Sequence, residues 1–279
     1  MDIQKVSSAL KSKFPNLEIY QDYPLAPYTT VKIGGPADIF IQTKSSPDFK
    51  KILSFCQNIP NTPITILGNG SNVLISDSGI RGIVIKNNAD NIELLPNNQI
   101  KVDSGAQLSQ LINFSLDNNL TGLEEFAYIP STLGGAIAGN IHGDNKTLFS
   151  TFLVSVEKVN DFIISAVLQL NSGNASLARQ KAQDIIQRKT NTQPTNSLGS
   201  IFKNIPGQDP SGLIIDQKLN LKGYSIGDAQ ISPLHANFII NKGKATAKDY
   251  YKLIQFIQKQ SKEKLNLNLE PEIKLLGQF

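Results

Sequence analysis

The run PITILGNGSNVLISDSGIRGIVIKN, residues 63–87, restricts this chain more than any other stretch. Its apolar segments are short, rich in β-branched residues and broken by glycine and asparagine, so it reads as several short strands joined by tight turns. In GNGSN, residues 68–72, the first two glycines of a dinucleotide fingerprint are present. Val73 stands where the third is required, and the strand VLIS follows where that motif needs a helix. No Gly-Lys-Ser/Thr follows, which excludes a P-loop. Two readings remain: a β-turn without a ligand, or a turn whose glycines take positive φ and whose successive N–H groups form an anion-binding nest.

Around this run the chain alternates helix and strand. Residues 1–57 read as a helix with Val6, Leu10 and Phe14 at helical spacing, then a turn containing Pro24 and Pro27. A strand, TVKIGGPADIFIQT, follows, broken by a turn at Gly34, Gly35 and Pro36, and then the helix SPDFKKILSFCQ, which takes Cys56 into the core. NQIKVDSG is a strand, and AQLSQLINFSLDNNL an amphipathic helix with Leu108, Leu111, Ile112 and Leu116 on one side. SVEKV and FIISAVLQLN are strands and ASLARQKAQDIIQRKT a helix. Near the end, Thr246 and Asp249 make a capping box for a long helix that turns Tyr250, Leu253 and Ile257 inward. The fold class is α+β, with no repeats and no low-complexity linker.

A chain of 279 residues can bury a core in two or three lobes, and 40% hydrophobic with 18% charged residues describes a globular protein. No apolar run is long enough for a bilayer and the N-terminus lacks a signal-peptide core, which places the protein in the cytoplasm, away from membranes. One cysteine cannot form an internal disulfide, and His142 and His235 are too far apart in sequence to suggest a metal site. A net charge of +4, spread over dispersed lysines, disfavours nucleic acid and suits a small anionic ligand.

Three further segments carry chemistry. In IPSTLGGAIAGN, residues 129–140, Ser131 can cap a short helix after Pro130, while Gly134, Gly135, Ala136, Ala138 and Gly139 leave its surface bare. That surface suits either a phosphate and a flat ligand at the helix start or close helix–sheet packing. With two such turns in one β-rich lobe, a pyrophosphate held between them is the expectation. In LNLNLEPEIKLL, leucines and isoleucine alternate with polar residues, so Glu270 and Glu272 share the polar face of a strand and Pro271 marks an edge or bulge. In SLGSIFKN, residues 197–204, the Ser200 hydroxyl suits a nucleophile, a phosphate ligand, a proton donor or a turn residue. The nucleophile fails on context, with no G-x-S-x-G elbow and no triad order around the two histidines.

TTVKIGGPAD, LGNGSNVLISD, GLEEFAYIPSTLGGAIAGN, GSIFKN, HANFIIN and LEPEIKLLG, in this order between Leu25 and Gly277, together resemble the UDP-N-acetylenolpyruvoylglucosamine reductases. These flavoenzymes make UDP-N-acetylmuramate for bacterial peptidoglycan. The resemblance implies an FAD-binding unit of the vanillyl-alcohol-oxidase (PCMH) type, with α+β subdomains at 1–57 and 58–170, followed by an α+β substrate-binding domain at 171–279. It sets the FAD diphosphate against Gly68, Asn69, Gly70, Ser71 and Asn72 and against Pro130, Ser131, Gly134, Gly135 and Ala136. It makes Ser200 the proton donor and Glu272 the catalytic acid, with Arg188, Lys203, Asn204 and His235 on the substrate side; Lys189 accompanies Arg188.

The implied reaction passes a hydride from NADPH through FAD to C3 of an enolpyruvyl ether of a UDP-sugar, in a cytoplasmic monomer. Charge then builds at C2 and the adjoining carboxylate, and C2 needs a proton. A serine hydroxyl can deliver it only if its own anion is stabilised or replenished, for which Lys203 and backbone amides are candidates. Glu272 can donate a hydrogen bond to the enolate only when protonated, which calls for partial burial. One departure stands out. The family's Tyr-Arg-x-Ser stretch has no counterpart: NIHGDN replaces N-A-G-A-Y-G, and the arginines are Arg81, Arg179 and Arg188. The deletion falls around Asn160–Asp161, and no lysine reproduces the fork an arginine offers a carboxylate. The resemblance therefore implies either a shortened reductase or a non-catalytic FAD- or UDP-sugar-binding protein.

Overall fold

Side-chain caps set the helix starts in the computed structural model, which describes residues 2–279. Asp2 accepts the Lys5 N–H at the head of α1 (Ile3–Lys13). After β1 (Glu18–Pro24) and β2 (Pro36–Thr43), Ser45 caps α2 (Ser46–Gln57). The glycine-broken run supplies β3 (Ile64–Leu67), β4 (Val73–Ile75) and β5 (Ile80–Asn87). Next come β6 (Ile92–Leu95), β7 (Gln99–Asp103), α3 (Leu108–Asp117), β8 (Leu120–Thr121) and α4 (Leu133–Gly139). Then follow β9 (Leu153–Val159), β10 (Phe162–Gln169), β11 (Asn171–Ser172) and α5 (Ala175–Thr192). The chain closes with α6 (Ser211–Leu213), which continues as a π-helical turn at Ile214–Lys218, then β12 (Ser225–Ile226), β13 (Ala229–Ile231), β14 (Ile239–Asn241), α7 (Ala247–Leu265) and β15 (Lys274–Leu276).

These elements form two compact units. The first comprises Met1–Gln21, Ile39–Asn69 and Gly82–Lys189. One of its sheets, in the order β1-β2-β5-β3, buries Ile39, Ile41, Ile83 and Ile85 against Leu10 of α1 and Phe49 and Ile52 of α2. Cys56 shares this core, and burial pushes its thiol up to about 12, so it is an inert packing residue. A second four-stranded sheet, β6-β7-β10-β9, packs Ile100, Val102 and Leu168 with Leu111 and Leu116 of α3. β9 and β10 form an antiparallel hairpin whose two turn residues are Asn160, at φ 52°, and Asp161.

The second unit comprises Asp22–Asp38, Gly70–Arg81 and Thr190–Phe279. Here α7 lays Tyr250, Leu253, Ile254 and Ile257 on a core that includes Leu198, Ile201, Phe202, Ile231 and Ile239. The buried Tyr250 hydroxyl donates to the Ile239 carbonyl at 2.9 Å. The expected Thr246–Asp249 capping box is present, and Asp77 adds a second cap by accepting the Ala247 and Lys248 amides at 2.8 and 2.9 Å. β4 pairs in parallel with β15, Val73 opposite Lys274.

Three expectations fail. Residues 29–35 form no strand: the Thr29 hydroxyl donates to the Ile33 carbonyl at 3.0 Å and accepts the Ile33 amide at 3.1 Å, closing a turn in which Lys32 takes φ 57°. The strand begins only at Pro36. In LNLNLEPEIKLL, α7 runs through Leu265 and Asn266 ends it at φ 54°, so the alternating stretch is not one strand and only residues 274–276 are. Glu270 and Glu272 do not lie on a sheet; their backbone bonds the 201–203 segment instead. Finally, α4 is capped by Thr132, whose hydroxyl accepts the Gly135 amide at 3.2 Å, and not by Ser131.

Gly79 shows how tightly this frame is fitted, because a Cβ there would lie 1.8 Å from the Pro36 carbonyl oxygen while φ is 80°. Gly223 has nearly the same φ, 82°, in open space. Gly79→Ala is therefore expected to cost ~3 kcal/mol and Gly223→Ala ~1 kcal/mol in urea unfolding, the difference being the clash. Equal losses would contradict it.

Candidate active site

Gly70 turns the 68–72 segment at φ 61°, and a Cβ there would lie 2.2 Å from the Tyr28 carbonyl oxygen, so only glycine fits. Asn69 is tied in place by its neighbours in the first unit. Its side chain exchanges two hydrogen bonds with that of Gln107 and donates to the Pro130 carbonyl at 3.3 Å. Gly68 lies beside Thr132, whose hydroxyl oxygen would be 3.0 Å from a Cβ at that position. The fold thus brings the first glycine turn against the second. The N–H groups of Asn69, Gly70 and Ser71 have no acceptor within the described residues, which is the unpaired donor set an anion nest needs. Asn72 is engaged through its carbonyl, which accepts the Lys274 amide at 3.0 Å.

The start of α4 is different. Its Leu133, Gly134 and Gly135 amides donate to the Ala106 carbonyl, the Ser104 carbonyl and the Thr132 hydroxyl. Gly134 is small because a Cβ would approach the Ser104 carbonyl oxygen to 3.1 Å, and Gly135 because one would sit 2.7 Å from the Ser131 hydroxyl. The amide hydrogens expected to face a phosphate are consumed in packing. Among the described residues, the unpaired backbone donors therefore lie in the 69–71 turn and not at the first three residues of α4.

Sequence reasoning missed Lys86. It lies on β5 and donates to the Gly68 carbonyl at 2.6 Å, and burial lowers its ammonium to about 8. The signal available was a single cation between Ile85 and Asn87 in a strand whose neighbours are buried.

In the second unit Ser200 follows Gly199, which takes φ 77°, and lines a cleft of about 370 Å³ together with Asn204, Gly212, Leu234, His235 and Asn237. The Ser200 hydroxyl has no partner within the described residues. The strand-like segment after it is fixed on both edges. On one, Glu272 donates its amide to the Ile201 carbonyl at 2.7 Å and Lys203 donates to the Glu270 carbonyl at 2.9 Å. On the other, the Asn237 side chain accepts the Phe202 amide at 3.0 Å and donates to the Phe202 carbonyl at 2.9 Å, while its own carbonyl accepts the Ile201 amide at 2.8 Å. Asn237 is 4% exposed and was also missed; the signal was a polar residue inside the otherwise apolar, buried run Ala236–Ile239.

The same residue orients His235. The Asn237 amide donates to His235 Nδ1 at 3.2 Å, so in the neutral imidazole the proton is on Nε2. Gly212 makes room for the ring, since a Cβ there would be 2.7 Å from Cε1. Asn204 Oδ1 accepts the Ser211 amide at 2.9 Å.

Lys203 and Glu272 do not line this cleft. Lys203 pairs at 2.5 Å with Glu270, both mostly exposed, and Glu272 is exposed where its proposed chemistry asks for burial. Arg188 belongs to the first unit, where its guanidinium lies 2.5 Å from Asp144 and, with Lys189, holds that carboxyl below its usual range. Among the described residues no group of three or more His, Cys, Asp or Glu side chains is arranged to hold a metal, and no helix is long and apolar enough to cross a membrane.

Removing the Asn237 amide would strand two buried backbone groups of Phe202. Asn237→Ala is expected to lower stability by ~3 kcal/mol in denaturant titration. A loss below ~1 kcal/mol would mean that the clamp is redundant.

Comparison with known proteins matches two stretches of the chain. Residues 37–161 match the family described as FAD binding domain, and residues 189–276 match the UDP-N-acetylenolpyruvoylglucosamine reductase C-terminal domain. The UDP-N-acetylenolpyruvoylglucosamine reductase of Clostridium novyi is 34% identical over 300 residues, covering 98% of this chain and 97% of that protein. That of Caldanaerobacter subterraneus is 36% identical over 296 residues, covering 96% and 97%. The crystal structure of the Thermus caldophilus enzyme superposes with a TM-score of 0.78 at 27% identity, over 94% of this chain and 99% of that one. The α+β FAD-binding unit and the reductase C-terminal domain expected from sequence are both present, and the chain belongs to the UDP-N-acetylenolpyruvoylglucosamine reductase family.

Proposed function

We propose that this protein is an FAD-dependent reductase that converts UDP-N-acetylglucosamine enolpyruvate to UDP-N-acetylmuramate with NADPH, acting as a cytoplasmic monomer in peptidoglycan precursor synthesis. The observation that carries the reading is the Ser200 cleft: an unpartnered hydroxyl on a rigidly held segment, beside an imidazole of fixed tautomer, in a chain of this family. Bound FAD would take a hydride from NADPH and deliver it to C3 of the enolpyruvyl ether.

The protein's own residues do the rest. Ser200 gives its proton to C2 as charge builds there, and the resulting alkoxide is stabilised by local backbone amides. His235 offers Nε2–H to a substrate oxygen, and Asn204 lines the same cleft. Glu272, exposed in the free chain, becomes a hydrogen-bond donor to the enolate only when substrate covers it, because desolvation favours the protonated acid. The amides of Asn69, Gly70 and Ser71 receive the cofactor's diphosphate, and Arg188 meets the substrate's.

The two half-reactions separate these roles. With Ser200→Ala, bleaching of the bound flavin by NADPH is expected to proceed as in the parent protein, while its recolouring by the enolpyruvyl substrate slows by about a hundredfold or more, in rapid-mixing absorbance traces. Recolouring at the parent rate would remove Ser200 from the chemistry. A parent protein that takes up no flavin would remove the whole reading.

A further inference from the structure

We propose that Lys86 is the charge partner of the cofactor diphosphate, drawing it onto the amides of Asn69, Gly70 and Ser71. The inference rests on the reading of the chain as an FAD enzyme. Lys86 Nζ is 2.6 Å from the carbonyl oxygen of Gly68, the first residue of the turn whose next three amides have no acceptor among the described residues. One of its three N–H bonds is used there. No carboxylate lies within ion-pair distance of Lys86 among the described residues, and burial alone lowers its ammonium to about 8. A half-buried cation without a counter-charge is costly, and an anion at the turn supplies one. The other glycine-rich segment cannot compete for that anion, since the leading amides of α4 are already bonded.

Few other groups on the surrounding elements titrate. β3 and the 68–72 turn carry no ionisable side chain, and Asp38 of β2 is engaged by Arg81 at 2.7 Å. The acids on segments joined to β5 through the Asn87–Ser104 hydrogen bond, Asp90 beyond the strand and Asp103 at the end of β7, do not pair with Lys86. Lys86 therefore dominates any pH dependence of anion binding at the turn. The competing role is mechanical, a prop for the Gly68 carbonyl, and a ligand without phosphate tells the two apart.

The test measures dissociation constants of FAD and of riboflavin for the flavin-free protein, by flavin fluorescence, from neutral to alkaline pH. In the parent, FAD affinity is expected to be flat below pH about 8 and to fall above it, because the charged form that attracts phosphate is lost. Lys86→Met should bind FAD about tenfold more weakly at neutral pH and without that pH dependence, and Lys86→Arg should bind tightly at every pH, with riboflavin affinity unchanged in both. Parallel FAD curves for parent and Lys86→Met, or an equal loss for riboflavin, would overturn the proposal. If Lys86→Met does not fold, as judged by thermal melting, Lys86→Arg decides through its pH profile. A parent protein that binds riboflavin and FAD equally, or neither, rejects the FAD reading itself.

Discussion

The side chain of Asn237 takes the place of a β-strand. Phe202 is 1% exposed, so its backbone N–H and carbonyl cannot turn to water, and no strand among the described residues pairs with that edge. One carboxamide supplies both the donor and the acceptor, and the Asn237 backbone adds the bond to Ile201 and the bond to His235. The opposite edge is closed by the backbone of Glu270 and Glu272, where Pro271, which has no N–H to give, lies opposite Phe202. Ser200 is thereby held rigidly although it lies in no regular element. A mount of this kind fixes where the hydroxyl can reach, which is what precise positioning of a reacting group requires.

The glycine turns of the first unit show the same economy in a different form. The bare surface of α4 is there so that Ser104 can approach its backbone, and the amides at its head are used internally. What is left open is the shorter 68–72 turn, fastened by the Asn69–Gln107 pair and the Asn69–Pro130 bond, with Lys86 beneath its first carbonyl. In the proposed mode of binding, the anion is met by three backbone amides and one lysine, with the head of α4 already occupied by its own hydrogen bonds.

Local signals were legible and long-range ones were not. The capping box at Thr246 and Asp249, the apolar stripes of α3 and α7 and the placing of Cys56 all follow from residues within one or two turns of one another. The 29–35 stretch misled because β-branched residues suggest a strand, whereas the Thr29 hydroxyl closes a turn that the pattern of hydrophobicity does not encode. LNLNLEPE misled because Leu265 satisfies both the helical stripe of α7 and a strand alternation, and the helix wins one more residue. Of the candidate site, Ser200, Asn204 and His235 were named and do share a cleft. Asn237 and Lys86 were not named, because each acts on a backbone group distant in sequence, Phe202 and Gly68, that only the folded chain brings near.

In the proposed reaction Ser200 protonates C2 of the enolpyruvyl group. A crystal structure of the Ser200→Ala protein with FAD and the enolpyruvyl substrate, with the serine restored by superposition of the parent, tests it most directly. C2 is expected at about 3–3.5 Å from the Ser200 oxygen. A substrate seated with C2 beyond reach of that oxygen, or outside the cleft lined by Asn204 and His235, would contradict it.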